Sequence, residues 1–584
     1  MNLRSLIKVR SNPTSGKATR RGGLFHASAN LLCASAVTLM GTAQAEDYLF
    51  TGGAIYTATG EAAEAVYVSD GVIRYVGDVA GAEEMAKDTA ERVDIGDGLL
   101  TPGFIDAHVH PVYVGLTLTI HCNLSGIGDK ERILAKIAAC AEEREGEEWL
   151  IGRGWALGAF EESKPSAADL DAIMPEGMAG YFWAEDGHNG WANSEAFERV
   201  RVGRETPDPE GGHIERLPDG RPQGTLRERA QQLVTAYLPM ITDEQQEEAL
   251  IAALNRLNQF GITTVVSAGV DTARVEQYQN ILARDALTAR TILALWVGPD
   301  WEEDLEGIAE QYSNDSDWLR VSQIKLMLDG VMENQTAHVS FTYPGLDHRG
   351  TTFFEDEETL TRWATAFEAA GYQLHFHTVG DEAITQGLRV LAASREARES
   401  TNNKPVFAHD YLVKPEDYEQ LREAGAYMQL TMLWDQQNDS MVNLNKPFLT
   451  EQQYADLMPA EQLVAGDIPV IGGSDAPVGQ FDPMASIQVA VTGQGVPYFH
   501  GGDMGEQEHM PGGRTSLEDM LRAYTITAAE ALGLDHAVGS IEVGKRADLV
   551  VLDRDIQSID PAEIYGTEVR LTLLDGKVVF RAEP

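Results

Sequence analysis

Short apolar runs that read as strands alternate with helix-like segments through most of this 584-residue chain. That alternation predicts an α/β fold with a parallel sheet. Residues able to bind metal or move protons end successive strand-like runs, which predicts a closed (β/α)8 TIM-type barrel with its site on the C-terminal rim. A hydrophobic content of 43% with 8% aromatics fits a packed core rather than disorder. The length suffices for a barrel and a second domain.

The first 45 residues stand apart. Six Lys or Arg and no acid precede Leu24, an apolar run peaks between Leu31 and Met40, and Ala43-Gln-Ala45 supplies small residues at cleavage spacing. This is a signal-peptide layout over 1–45, with cleavage before Glu46, and it predicts an exported, periplasmic protein. Thr19 to Phe25 resembles a twin-arginine signal, although Gly23 stands where a large apolar residue is usual; the general secretory route stays open beside it. An uncleaved anchor is the competing reading, and the short apolar core opposes it. Cys33 follows Leu32 rather than a small residue, which opposes a lipid anchor. No long apolar stretch follows residue 45, so the mature body is expected to be soluble, without stable membrane insertion.

From 46 to 100, Ala54–Tyr56, Ala65–Val68 and Val72–Val76 are short runs separated by Gly and Asp, and they read as strands of a small β-domain. The tail from 536 to 584 repeats the style in Ala547–Leu552 and Leu571–Phe580. The span 101–535 is assigned to the barrel, with a Gly-, Pro- and charge-rich insertion near 165–230.

Thr101 to Pro111 opens the barrel. Alternation puts Phe104, Asp106, His108 and His110 on one face and Ile105, Ala107 and Val109 on the other. Two imidazoles at a strand end look like half of a metal site; a pair of solvent-facing loop histidines is the alternative. Lys325 is embedded among aliphatic neighbours, His377 and His409 end apolar runs, and Asp475 follows two glycines. Burial of Lys325 favours its neutral amine; a lysine paired with Asp329 is the bland reading.

The ordered motifs resemble the amidohydrolase superfamily, and within it amidohydrolase family 3, the branch that includes N-substituted formamide deformylase. They are Thr101–Pro111, Asp186–Ser194 (DGHNGWANS), the two elements between Gly211 and Glu228, Ile324–Ala337, His375–Ile384, Phe407–Asp417, Gly472–Val478 and Tyr524–Asp553. The resemblance implies a β-sandwich built from both chain ends beside the barrel. It implies His108, His110, Lys325, His377, His409 and Asp475 as metal ligands, two zinc ions bridged by a carbamylated Lys325, and Asp475 as the proton-handling residue. One zinc or another divalent metal stays open. A divalent cation can lower the pKa of water from about 15.7 to roughly 7, and the hydroxide can attack a carbonyl while a carboxylate carries the proton.

Other residues carry weaker signals. His375 shares the face of His377 one layer deeper and reads equally as a ligand, a supporting histidine or a packing one. His188, Trp191 and Trp155 are substrate-contact candidates, with packing as the alternative for both tryptophans. Arg153 and Glu333 are weaker pocket candidates. His500 and His509 read as loop residues. Once Cys33 leaves with the leader, Cys122 and Cys140 form an even pair that export would let bond; two buried free thiols are the alternative.

The formal net charge is -46, and the leader carries only positive charges, so the mature chain is more acidic still. That opposes nucleic acid or an anionic membrane as partner and leaves a small-molecule substrate, with a homodimer as the default self-association. The expected activity is metal-dependent hydrolysis of a carbon–nitrogen bond other than a peptide bond, in an amide, N-acyl or cyclic amide. The alternatives are an esterase or lactonase on the same centre and a non-catalytic periplasmic binding protein.

Overall fold

The computed structural model describes residues 47–298, 316–396, 404–437, 441–496, 510–511 and 513–583. The expected leader with Cys33, and the loop histidines His500 and His509, lie outside them.

Eight parallel strands form the central sheet, each hydrogen-bonded to the next in chain order. They are Phe104–Val109, Ile262–Val270, Arg290–Val297, Leu319–Met327, Gln373–Thr378, Val406–His409, Tyr427–Leu430 and Val470–Gly472. Their Val-, Ile- and Leu-rich sequences fit a sheet covered on both faces; every residue of the first strand is buried. The first and last strands meet through loop bonds rather than a ladder. Asp475 N donates to His108 O (2.7 Å), and His110 N donates to Ala476 O (2.9 Å). The glycines before Asp475 permit this approach. A Cβ on Gly473 would sit 2.9 Å from His108 N, and one on Gly472 would enter the Tyr524 ring.

Both chain ends build the flanking β-layers. One sheet holds Tyr48–Thr51, Ala65–Ser69, Val72–Gly77 and Glu91–Asp94; the other joins Ala54–Ile55 and Leu99–Pro102 to Leu549–Leu552, Val569–Leu574 and Lys577–Arg581. Tyr48, Phe50, Val66, Val68, Leu100, Leu549, Val551 and Leu573 share one buried cluster between them. Arg290 on the third barrel strand reaches Asp548 of this layer with Nε at 2.6 Å and Nη2 at 3.1 Å, both side chains fully buried.

The insertion is larger than the expected 165–230. A six-stranded sheet runs from Cys122–Asn123 through Trp149–Trp155, Ala179–Ala184, Asn189–Ala192 and Pro222–Glu228 to Gly212–Arg216. It lies in sequence between helices Pro111–Thr119 and Asp243–Asn258, which pack so closely that a Cβ on Gly115 would collide with the Ala249 carbonyl. The first half, which holds the helix Lys130–Glu143 and the strand Trp149–Trp155, precedes the Gly-, Pro- and charge-rich span that marked the insertion in sequence. Cys122 and Cys140 are disulfide-bonded and tie that helix to the sheet edge. Among the described residues no helix is long and apolar enough to cross a membrane.

Candidate metal centre

Six side chains from five barrel strands and their following loops converge on the C-terminal rim. His108 ends the first strand, and His110 caps the helix that follows. His110 Nε2 lies 3.0 Å from Asp475 Oδ1, and His108 Nε2 lies 3.4 Å from the same oxygen and 3.4 Å from Lys325 Nζ. Lys325 pairs in register with His375, and Met327 with His377, on the neighbouring strand. The His377 ring centre is 4.4 Å from that of His409, whose Nδ1 is 3.9 Å from Asp475 Oδ2. His108, His110 and Asp475 can each offer a ligand atom within 4.8 Å of the others.

The donor set fits a divalent cation. Among the described residues His409 Nδ1 is buried without a hydrogen-bond partner, an arrangement that costs free energy unless something binds it. Burial, reinforced by nearby cationic groups, holds His108, His377 and His409 well below the usual histidine range, so they are neutral at pH 7, the form in which an imidazole can bind a cation. Burial also pushes the Lys325 amine down to about 7, against the pull of Asp475, Asp410 and Asp329. Asp329, the alternative partner for Lys325, is engaged elsewhere: it accepts from the backbone N–H groups of His338 (2.9 Å), Val379 (3.0 Å) and Gly380 (2.8 Å).

A supporting layer fixes these side chains. His375 Nε2 is 2.9 Å from His108 Nδ1, and its Nδ1 is 2.9 Å from Gln323 Oε1, so His375 orients the His108 ring from behind. The Asp106 carboxylate accepts from Ser474 Oγ (2.6 Å), Ser474 N (3.0 Å) and His108 N (3.2 Å), joining the first strand to the loop that carries Asp475. His409 (φ 82°), Asp410 (φ 39°) and Asp475 (φ 52°) hold left-handed backbone, a cost that clusters at functional sites.

A pocket of about 700 Å³, counted to its open mouth, rises from this floor. His377, His409 and Asp475 form the base; Val331, Val379, Tyr411, Trp434, Met441 and Val478 supply apolar and aromatic walls; Leu157, Glu185, Asp186 and His188 come from the insertion. Trp434 stacks on His409 (5.7 Å, 12° between planes). Glu333 lines the wall and accepts from the Tyr411 hydroxyl (3.2 Å) and Asn445 Nδ2 (3.0 Å).

The two tryptophans are corrected. Trp155 and Trp191 are fully buried in the insertion's aromatic core, 6.2 Å apart, and neither lines the pocket. Their indole N–H groups donate to the carbonyls of Phe182 (2.9 Å) and Ser166 (2.8 Å), which satisfies them inside that core. Arg153 lies beside the pocket, 5.6 Å above the Tyr113 ring. Trp434, Tyr411 and Glu228 were missed. The aromatic pair follows two later barrel strands at their C-terminal ends, and that position was the available signal.

The amidohydrolase family profile matches residues 91–580. The chain belongs to the amidohydrolase family. It is 28% identical to the putative amidohydrolase YtcJ of Bacillus subtilis, over 91% of this chain and 99% of that one. It is 27% identical to the N-substituted formamide deformylase of Arthrobacter pascens, over 89% and 95% of the two chains. A solved metal-dependent hydrolase from Pyrococcus horikoshii shares the fold with a TM-score of 0.68, at 19% identity over 88% of this chain and 99% of that one. In this amidohydrolase the barrel is closed by the residues that also form the centre.

Proposed function

We propose that this amidohydrolase is an exported, zinc-dependent enzyme that hydrolyses a carbon–nitrogen bond outside peptides, in an amide, N-acyl amine or cyclic amide. The reading rests on one observation: imidazoles, a buried lysine and Asp475 meet at the base of an open pocket, with His409 Nδ1 making no hydrogen bond among the described residues. Family membership supports hydrolysis, and the deformylase among the relatives supports the bond class. The pocket's lining, mostly apolar and aromatic with a few convergent polar groups, suits a small molecule. The basic leader and the Cys122–Cys140 disulfide support export.

His108, His110, His377, His409, Asp475 and Lys325 in its carbamate form would hold two zinc ions. Bound zinc supplies a water that ionises near pH 7 and an electrophile for a carbonyl. The chain's own residues do the rest. Asp475 takes the proton from the attacking water at a carboxylate oxygen and returns it to the leaving nitrogen. His375 and Asp106 hold His108 and the Asp475 loop in place, so the proton acceptor and the ligands keep one geometry. Trp434 and Tyr411 present a broad aromatic wall against which an apolar part of the substrate can pack, excluding water.

Metal analysis combined with a hydrolysis panel of formamides, N-acyl amines, cyclic amides and esters tests the reading. Zinc-dependent turnover of an amide is the expected result. Turnover of esters alone would replace the amide assignment with an esterase, and tight ligand binding without product would replace it with a binding protein.

A further inference from the structure

His188 and Glu228 form a dyad in the insertion that the ligand set does not use. They are joined twice. Glu228 N donates to His188 O at 2.8 Å, and His188 Nδ1 lies 2.8 Å from Glu228 Oε2. Glu228 holds a left-handed backbone (φ 48°, ψ -128°) at the end of its strand, a strained conformation for a residue with a side chain. Its other oxygen accepts from Asn334 Nδ2 (3.0 Å) and Thr336 Oγ1 (3.4 Å), both on the loop after the Lys325 strand. The dyad is thereby clamped to the barrel although it belongs to the insertion.

The ring itself forms part of the pocket wall. Nδ1 is committed to Glu228, and Nε2 has no hydrogen-bond partner among the described residues. The described wall contains no lysine or arginine, while Glu185, Asp186, Glu333 and Asp475 all line it. Such a wall repels negative charge growing on a substrate oxygen, and His188 is the one cationic donor among its lining residues, with Arg153 beside it.

We infer that His188 is a catalytic residue whose Nε2–H hydrogen-bonds the substrate's carbonyl oxygen, and that Glu228 is the positioning residue that keeps the ring charged and aimed. This rests on the hydrolase reading above. As the water oxygen bonds to the carbonyl carbon, the C=O π pair moves onto the carbonyl oxygen, where His188 meets it. When the pair returns, the C–N bond breaks, its electrons go to nitrogen, and nitrogen takes the proton held by Asp475. His188 keeps its own proton throughout, as a preorganised donor. Burial pulls the ring's pKa down, but Glu228, Asp186 and Glu333 outweigh it and raise it to about 9. His377 is the titratable ligand on the facing strand that senses this charge.

The test uses zinc-loaded full-length protein, its best panel substrate, and methylphosphonate as a tetrahedral oxyanion probe. His188→Asn should lower kcat about 100-fold with KM nearly unchanged, keep its zinc, and weaken methylphosphonate binding at least tenfold by calorimetry. Glu228→Gln should move the alkaline limb of kcat down from near pH 9 towards the ordinary histidine range. The inference is overturned if His188→Asn keeps wild-type kcat, if it loses zinc in proportion to activity, or if wild type and variant bind methylphosphonate alike. If wild type turns over no substrate, the hydrolase reading fails, and the calorimetry still decides whether His188 forms an oxyanion seat.

Discussion

His375 Nε2 stands 2.9 Å from His108 Nδ1, across the barrel lumen from the fifth strand to the first. One imidazole therefore orients another and leaves His108 Nε2 facing Lys325 and Asp475. Replacing His375 by Phe should leave the barrel folded but lower zinc affinity about 10- to 100-fold, the usual effect of removing such a support. Competition with a chelator of known affinity measures it. An unchanged affinity would reduce His375 to packing.

Asp475→Asn keeps the size of the side chain and its backbone bond to His108 O. Turnover should fall by at least about 1000-fold, within the roughly 100- to 10,000-fold range usual for general acid–base work, and the substitution also removes an anionic group from the cluster. The unfolding midpoint of the metal-free protein should barely move. Full activity in this variant would remove Asp475 from proton transfer.

Lys325 supplies a pH prediction. Its buried amine has a pKa lowered to about 7, so the neutral form, which alone reacts with carbon dioxide, grows as pH rises through that value. Zinc uptake by metal-free protein should rise with bicarbonate and with pH across 6 to 8, where His108, His377 and His409 are already neutral. Protein incubated with carbon-13 bicarbonate should show a carbamate resonance that Lys325→Ala lacks. Its absence from active wild type would exclude the carbamate.

The Arg290–Asp548 pair joins the barrel to the terminal β-layers. Asp548→Asn would strand a buried guanidinium with only Asp575, at 3.5 Å, as a carboxylate neighbour among the described residues. Breaking such a pair costs about 3–5 kcal/mol, to be read as a lower denaturant midpoint. Exchanging Arg290 and Asp548 together for apolar residues should cost less than the single change.

The Cys122–Cys140 bond closes a loop of sequence separation 18 within the insertion. A loop of that size corresponds to roughly 3 kcal/mol of stabilisation. Cys122→Ser with Cys140→Ser should destabilise the insertion, seen as faster hydrogen exchange in 130–155, while zinc content at the rim stays unchanged. Protein recovered from an oxidising compartment should contain no titratable thiol among the two.

That the candidate residues gather in one cluster was legible because they lie at or near strand ends, where a short motif records both the element and its chemistry. His108 follows its strand's alternation, and Asp475 follows glycines that allow the seam. What holds these residues was not legible, since Asp106 and Ser474 are 368 residues apart in sequence. Trp155 and Trp191 were misplaced because a tryptophan beside a pocket motif and one beneath it have the same local sequence. The insertion's true start was masked because its first helix and strand precede the Gly-, Pro- and charge-rich span that marked it. Glu228 showed nothing of its role, because its partner His188 is 40 residues away, in the turn before another strand.

The bonds from Asp475 N to His108 O and from His110 N to Ala476 O are the stitches of the barrel wall as well as struts of the metal floor. Ion loss and wall fraying are therefore coupled. The amide protons of His110 and Asp475 should exchange with solvent faster once the ion is stripped, making two backbone positions a built-in gauge of whether the enzyme is loaded.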